Sequence, residues 1–381
     1  MGKRELLLAA VILVLGFVVY QFTAPPGDPS KPGFSFSRIL DEVRREVRGQ
    51  RESAEDTKLT KIPVPDTVRE IRLDELSSTV VTIVGEDRAD IEAEFHVRSS
   101  GYDVEEAKRL VTESNLKSDE AGALLILATK YPVEGRQSGR LTLKIPARLG
   151  VRTDGKSGVM TISKVESVAI GTARANTELT DIRGHVAVTQ RGSQITVQNV
   201  GSVRLQTFSA EAKLVDVRGD TTLNVQGGEF AAEQLHGALE VESRNSEMRF
   251  ERLEKLRGPV RINASLGELL LAGLAVEARI DGRNTQIRVE PAVPVTLSVY
   301  NTEEDVDIIL PSGGMRLDLL ATEGDVEVPD GLKEQLTITP PPGDSAAPVG
   351  RTEQRVAGDL FGGGPVMTVR VTRGEIILKT R

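Results

Sequence analysis

Residues 150–157, GVRTDGKS, satisfy the G-x4-G-K-[ST] pattern of a phosphate-binding loop in full. Such a loop works by turning backbone N–H groups and the N-terminus of a following helix toward phosphate oxygens. Here the following stretch, VMTISKVESVAI, alternates apolar and polar as a strand does, so the pattern reads as a Gly-rich turn. The chain has three histidines, His96, His185 and His236. A metal site or a general base needs partners converging on one point, and the spacing of these three supplies none. Glu303, Glu304, Asp305 and Asp307 form an acidic knot that could hold calcium weakly, though a run of this kind is ordinarily a solvated turn. Asn263-Ala264-Ser265 matches a glycosylation triplet and reads as a turn within a repeat unit. Cysteine is absent, which removes disulfides, thiolate zinc sites and cysteine nucleophiles. No catalytic, cofactor-binding or metal-binding residue is assigned, no cofactor is expected, and the chain reads as a non-enzyme.

Composition narrows the partners. There is no Trp and aromatics make up 3%, too few for the stacking platforms that sugar and nucleic-acid sites recruit. The net charge of −8 argues further against nucleic acid.

The elements that would carry any site fall into five stretches. Residues 1–5 form a cytoplasmic tail, followed by LLLAAVILVLGFVVYQFTA at 6–24, an uncharged run. About 17–25 apolar residues span a bilayer, so 6–24 is expected to be a transmembrane anchor. Cleavage after Ala24 would put bulky Phe22 at −3 and Pro25 just past the cut, so the anchor is expected to stay attached. Lys3 and Arg4 abut the run, while Lys31, Arg38, Arg44, Arg45 and Arg48 lie farther away on the other side. That bias predicts a single-pass inner-membrane protein with a periplasmic body. Residues 25–76 read as a Pro/Gly linker, PPGDPSKPGFSF, and a short spacer helix N-capped by Ser37.

Residues 77–150 read as an α/β entry module. SSTVVTIVG and ADIEAEFHVRS alternate as strands across an EDR turn, and ALLILATKYP and GRLTLKIPA are two more. Asp103 with Glu106 makes a capping box for a helix that should bury Val104, Ala107, Leu110 and Val111. Residues 151–381 are periodic. Unit starts at Gly184, Gly201, Gly219, Gly237 and Gly258 are spaced from 17 residues (Gly184 to Gly201) to 21 (Gly237 to Gly258). Each unit holds two alternating runs, such as Val186/Val188 and Ile195/Val197, around a turn such as Gly192-Ser193 or Asn245-Ser246. One unit cannot bury its apolar side alone, whereas stacking like on like makes a continuous core. The runner-up for the same strands is a sandwich of hairpins. Residues 331–364 break the period as a flexible excursion, and the closing MTVRVTRGEIILKTR is expected at the far end of the stack, its charges discouraging further growth.

These parts resemble a bacterial family, the putative-adhesin β-strand-repeat proteins. The resemblance covers 77–381 and rests on TVVTIVGEDRADIEAEF, VEEAKRL, LTLKIPARLGVRTDGKSGVMTISKV, the repeated G-x-V-x-V-x-x-x-x-G/S-x-I-x-V unit and the closing GGGPVMTVRVTRGEIILKT. Several units lack the family's Asn-Gly or Ser-Gly turn, and the one near Ser209 is irregular. The resemblance implies a mainly β, right-handed parallel β-solenoid, often membrane-tethered, with no catalytic residues to carry over. The expected function is a membrane-anchored, adhesin-like protein of the cell envelope. Its long faces would contact a protein or cell-surface macromolecule, or a copy of itself. The alternatives are an envelope-stress sensory or regulatory membrane protein and, third, a solenoid polysaccharide lyase.

Overall fold

Inward-pointing Val, Ile and Leu at every second position dictate what the repeat units do: each strand hides one side and needs a neighbour on both edges to pair its backbone. In the computed structural model the described residues are 52–74, 76, 79–133, 135–154, 159–339 and 353–381. The chain is mainly β, and all the described strands join one hydrogen-bonded network. The apolar run at 6–24 and the spacer helix from Ser37 lie outside the described residues. Among the described residues no helix is long and apolar enough to cross a membrane.

The repeat is a parallel, in-register stack. One column of inward residues runs Val168, Val186, Val203, Thr221, Leu239, Val260, Ala278, Leu297. A second runs Thr177, Ile195, Ala212, Phe230, Met248, Leu269, Ile287, Val306. All sixteen of these residues are buried. The parallel register excludes the sandwich of hairpins, which would need antiparallel neighbours.

Two ladders of left-handed residues turn the chain within each unit. Between the two strands they are Ser193, Ser209, Asn245, Leu266, Asn284 and Glu323, with φ from 49° to 59°. After the second strand they are Lys164, Asp181, Asn199, Asp216, Gln234 and Arg252, with φ from 52° to 59°. Ser209, where the turn is expected to be irregular, thus shares the left-handed φ of the other turn residues. Seven of these twelve are Ser, Asn or Asp, and Asn199 Nδ2 also donates to Asp181 Oδ1 of the preceding level at 2.6 Å. Asn263 and Ser265 belong to the strand Val260–Leu274, and the turn expected there falls on Leu266.

The unit-start glycines form a third column, Gly184, Gly201, Gly219, Gly237 and Gly258, in which backbone lies against backbone. A Cβ on Gly201 would come 2.4 Å from Gly184 O, and one on Gly237 would come 2.4 Å from Gly219 C. Glycine recurs there because nothing larger fits between successive levels.

The strands of the entry module belong to the same stack. Thr79–Glu86 lies between Gln137–Pro146 and Met160–Ser163, parallel to both. Residues Glu52–Pro63 and Glu70–Asp74, read from sequence as part of the linker, are also strands. The second of them joins Leu124–Lys130 to Gly150–Thr153. The helix Val104–Glu113 packs on Asp90–Gly101, with Asp103 Oδ1 accepting from Glu106 N at 2.7 Å. It buries Ala107, Leu110 and Val111, while Val104, in the first turn, stays exposed, contrary to expectation. Asn115–Ala121 covers Leu124–Lys130 in antiparallel register, and its polar, exposed residues blunt that edge.

The closing unit is not where its place in the chain suggests. Val366–Thr372 pairs on one edge with Leu297–Thr302 and on the other with Met315–Thr322. Ile376–Thr380 likewise lies between Val306–Leu310 and Val326–Glu327. The last residues are thus inserted between two units that are consecutive in sequence. Insertion pairs both edges of the incoming strands, where an end position would leave one edge bare. The level displaced outward is covered by Glu353–Leu360, antiparallel to Met315–Thr322, and by the 3-10 turn Asp330–Gln335, which buries Leu332. Much of the stretch read as a flexible excursion is therefore ordered cover, with 340–352 outside the described residues.

Candidate interaction face

The in-register stack multiplies every outward residue into a column. On the outer side of the second sheet, Glu211, Glu229, Glu247 and Glu268 occupy one position of four successive levels, all exposed. Levels are spaced about 4.8 Å, so these carboxylates stand as close as the fold allows. The next column outward carries Lys213, Arg249 and Arg288, but each is engaged by a third column. Lys213 pairs with Glu233 at 3.6 Å, Arg249 with Glu251 at 3.6 Å and Arg288 with Glu290 at 2.8 Å. Glu211 accepts from Gln194 Nε2 at 2.6 Å. Glu229, Glu247 and Glu268 have no ion-pair partner among the described residues. The face is thus a strip of glutamates without ion-pair partners among the described residues, beside a strip of ion pairs in which Lys213 shares Glu233 with Arg252. A shallow groove of about 580 Å3 runs along it, with Ala231 and Leu270 providing apolar patches between the charges.

The outer side of the first sheet is more mixed. Asn224, Glu242, Asn263 and Asp281 stack in one column, and Asn224 Nδ2 donates to Glu242 Oε2 at 3.3 Å. Arg279 is held by Asp281 at 2.9 Å and lies over the Tyr300 ring at 5.2 Å. The hydrogen bond from Arg279 to Asp281 raises the arginine's pKa.

The residues with chemical potential do not assemble. Of the phosphate-loop pattern, Gly150–Thr153 is a strand, while Gly155, Lys156 and Ser157 lie outside the described residues. The next element, Met160–Ser163, is a strand where a phosphate loop requires a helix. The histidines sit at three separate places, His96 on the strand Asp90–Gly101, His185 on Thr177–Arg191 and His236 just after Thr221–Leu235. His96 Nδ1 is 3.0 Å from Thr57 Oγ1, His185 Nδ1 is 3.0 Å from Ser202 Oγ, and His236 Nε2 is 3.3 Å from Asp216 Oδ1. Among the described residues no three His, Asp or Glu side chains are grouped to hold a metal.

No family model matches the sequence, and no curated protein does. Solved structures do match. A putative adhesin of Parabacteroides merdae is 10% identical, with 85% of this chain and 96% of that one covered and a TM-score of 0.30. A putative adhesin of Parabacteroides distasonis is 11% identical over 85% and 97%, at 0.29. A putative cell adhesion protein of Clostridium sporogenes is 10% identical over 87% and 100%, at 0.21.

The acidic knot holds part of the chain itself. Arg373 pairs with Glu303, Lys379 Nζ reaches Asp307 Oδ2 at 2.8 Å, and the Glu375 backbone N–H donates to Asp305 Oδ1 at 2.8 Å. On the opposite edge of the inserted unit Arg370 bonds Asp318, which Arg355 also reaches at 3.1 Å. By sequence alone these acids could hold calcium weakly. The cations that occupy them, Arg373 and Lys379, lie more than sixty residues downstream, which hides the pairing from local patterns.

The ties to Asp318 carry a pH dependence. Burial would raise its carboxyl pKa, but the hydrogen bond and charge of Arg370, then of Arg355, outweigh burial and hold it below its ordinary 3.8. A carboxyl depressed in the folded state contributes stability that is present above its unfolded value, about 3.9, and is lost as pH falls through the folded value. The C-terminal end should therefore loosen in acid, below about pH 4. Limited proteolysis across pH 2–6 should show this step in the native chain and not in Asp318→Asn.

Proposed function

We propose that the chain is a non-enzymatic, membrane-anchored protein of the cell envelope. In this reading it is an adhesin-like, right-handed β-solenoid whose acidic face binds a basic macromolecule. The column Glu211, Glu229, Glu247, Glu268 carries the proposal. Stacked like charges oppose folding modestly, and a complementary ligand removes that cost while supplying long-range steering. The repeat then acts as a ruler, offering one carboxylate per level to an extended cationic partner. The apolar run at 6–24 supports anchoring, and Lys3 and Arg4 before it support export. The scattered histidines and the scarcity of aromatic residues favour binding over a lyase or a nucleotide enzyme.

Polylysine is a suitable probe, with binding by the full-length protein measured at low and moderate salt. Glu229→Gln/Glu247→Gln/Glu268→Gln should weaken binding about tenfold, the effect of losing roughly 1.4 kcal/mol. Glu240→Gln/Glu242→Gln/Glu277→Gln makes the same change in net charge away from the groove and should have little effect. Equal losses from the two triple variants would show that net charge alone governs binding, and the proposal would fail.

A further inference from the structure

The unit Val366–Thr380 is held by a slot rather than by the winding of the chain. The two levels that flank it, Leu297–Leu310 and Met315–Glu327, are joined directly through 311–314, so the closing strands enter between them from the side. Recognition inside the slot uses register and charge. Met367 stacks between Leu297 and Leu317, and Ile376 between Val306 and Val326. The incoming segment 366–381 carries Arg370, Arg373, Lys379 and Arg381 against a single acid, Glu375. The level below contributes Glu303, Glu304, Asp305 and Asp307 and no cation, and the level above contributes Asp318. Every one of these contacts would be identical if the segment came from another molecule.

The route into the slot is tightly bent. The chain leaves Glu353–Leu360 on the outer side of Met315–Thr322 and crosses to its inner side within Phe361–Pro365. Phe361, Gly362, Gly363 and Gly364 all have positive φ, at 50°, 90°, 78° and 154°. Phe361 is 60% exposed, so no packing offsets its left-handed backbone. A short, strained crossover beside an edge-seeking strand is the arrangement that opens into exchange between copies.

We propose that this slot accepts the C-terminal unit of a second copy, so that two chains form a dimer by trading Val366–Thr380. The exchange is reciprocal and closes on itself, leaving no free edge to propagate. It does not rest on what the acidic face binds: Glu211, Glu229, Glu247 and Glu268 take no part in the slot, and Asp307 alone borders both the groove and the slot.

The absence of cysteine makes the test direct. Ser298 and Thr368 are in register across the slot, within the separation a disulfide can bridge. Full-length Ser298→Cys and Thr368→Cys proteins, solubilised, mixed and oxidised, should give a covalent dimer of doubled mass containing one chain of each. Ser298→Cys mixed with Thr196→Cys should not. Phe361→Gly, which relieves the crossover, should lower the dimer yield several-fold. A second pair of variants guards against an inaccessible bridge. Glu303→Lys/Asp307→Lys and Arg373→Glu/Lys379→Glu each set like charges against one another within a chain, and opposite charges meet only between the two. Mixing them should yield 1:1 dimers by light scattering. The double Ser298→Cys/Thr368→Cys chain should close its bridge in either case. If it closes only within single chains, and neither mixture gives a mixed dimer, the proposal is overturned.

Discussion

Phe250→Ala should cost about 3–5 kcal/mol, the range for deleting a fully buried aromatic side chain. Phe250 is inaccessible to solvent and lies in register between Ala232 and Leu271 of the adjoining levels. Its ring meets that of Phe230 at 5.5 Å between centroids. The small Ala232 on one side cannot move into the space, so the cavity persists and its lining loses contacts outright. In a stack each level is stabilised by its two neighbours, so a weakened level in the middle also uncouples the halves on either side. Urea unfolding followed by circular dichroism should show a lower midpoint and a broader transition. Phe361→Ala, removing an exposed ring, should leave the transition nearly unchanged. A loss below about 1 kcal/mol at Phe250 would mean that the interior is far looser than a native core.

Gly237→Val is the second large effect. Its Cβ would sit 2.4 Å from Gly219 C, 2.5 Å from Gly219 O and 2.6 Å from Asp220 N. Backbone atoms block it, so relief requires two levels to separate rather than one side chain to turn. Overpacking costs roughly 1–3 kcal/mol where side chains can yield, and this site should reach or pass the upper end. Gly192→Ala provides the contrast. Nothing lies within 4 Å of its added Cβ, and only the φ of 64° resists. That substitution should cost about 1–2 kcal/mol. Thermal melts of the two variants should separate clearly, with Gly237→Val the lower.

Those two positions also indicate which parts of the fold the sequence makes legible. The unit-start glycines and the alternating pairs are visible because stacking imposes one period on both backbone crowding and side-chain burial. The strand Glu52–Pro63 is not legible because most of its residues are exposed, leaving no apolar alternation to read. Glu70–Asp74 offers only Ile71 and Leu73, too short a run to stand out from a linker. Insertion of the closing unit is hidden for a different reason, since hydrophobic pattern identifies a strand without saying which edges it will meet. The clue is electrostatic: an acidic knot at 303–307 and a basic stretch at 370–379 that spans two strands and their turn, each unexplained without the other. The acidic face was equally invisible as a site. Its four glutamates lie 18 to 21 residues apart and become neighbours only through the register.

An anchored body turned outward from the membrane is the claim on which the functional reading rests, and a reporter at the C-terminus measures it most directly. Arg381 is exposed beyond its last strand, so a fusion there leaves the inserted unit intact. Alkaline phosphatase, active only after export, should be active on the full-length chain and stay with the membrane fraction. A cytoplasmic fluorescent reporter at the same site should be dark. Inactive phosphatase with a bright cytoplasmic reporter would put the acidic face inside the cell and contradict the account.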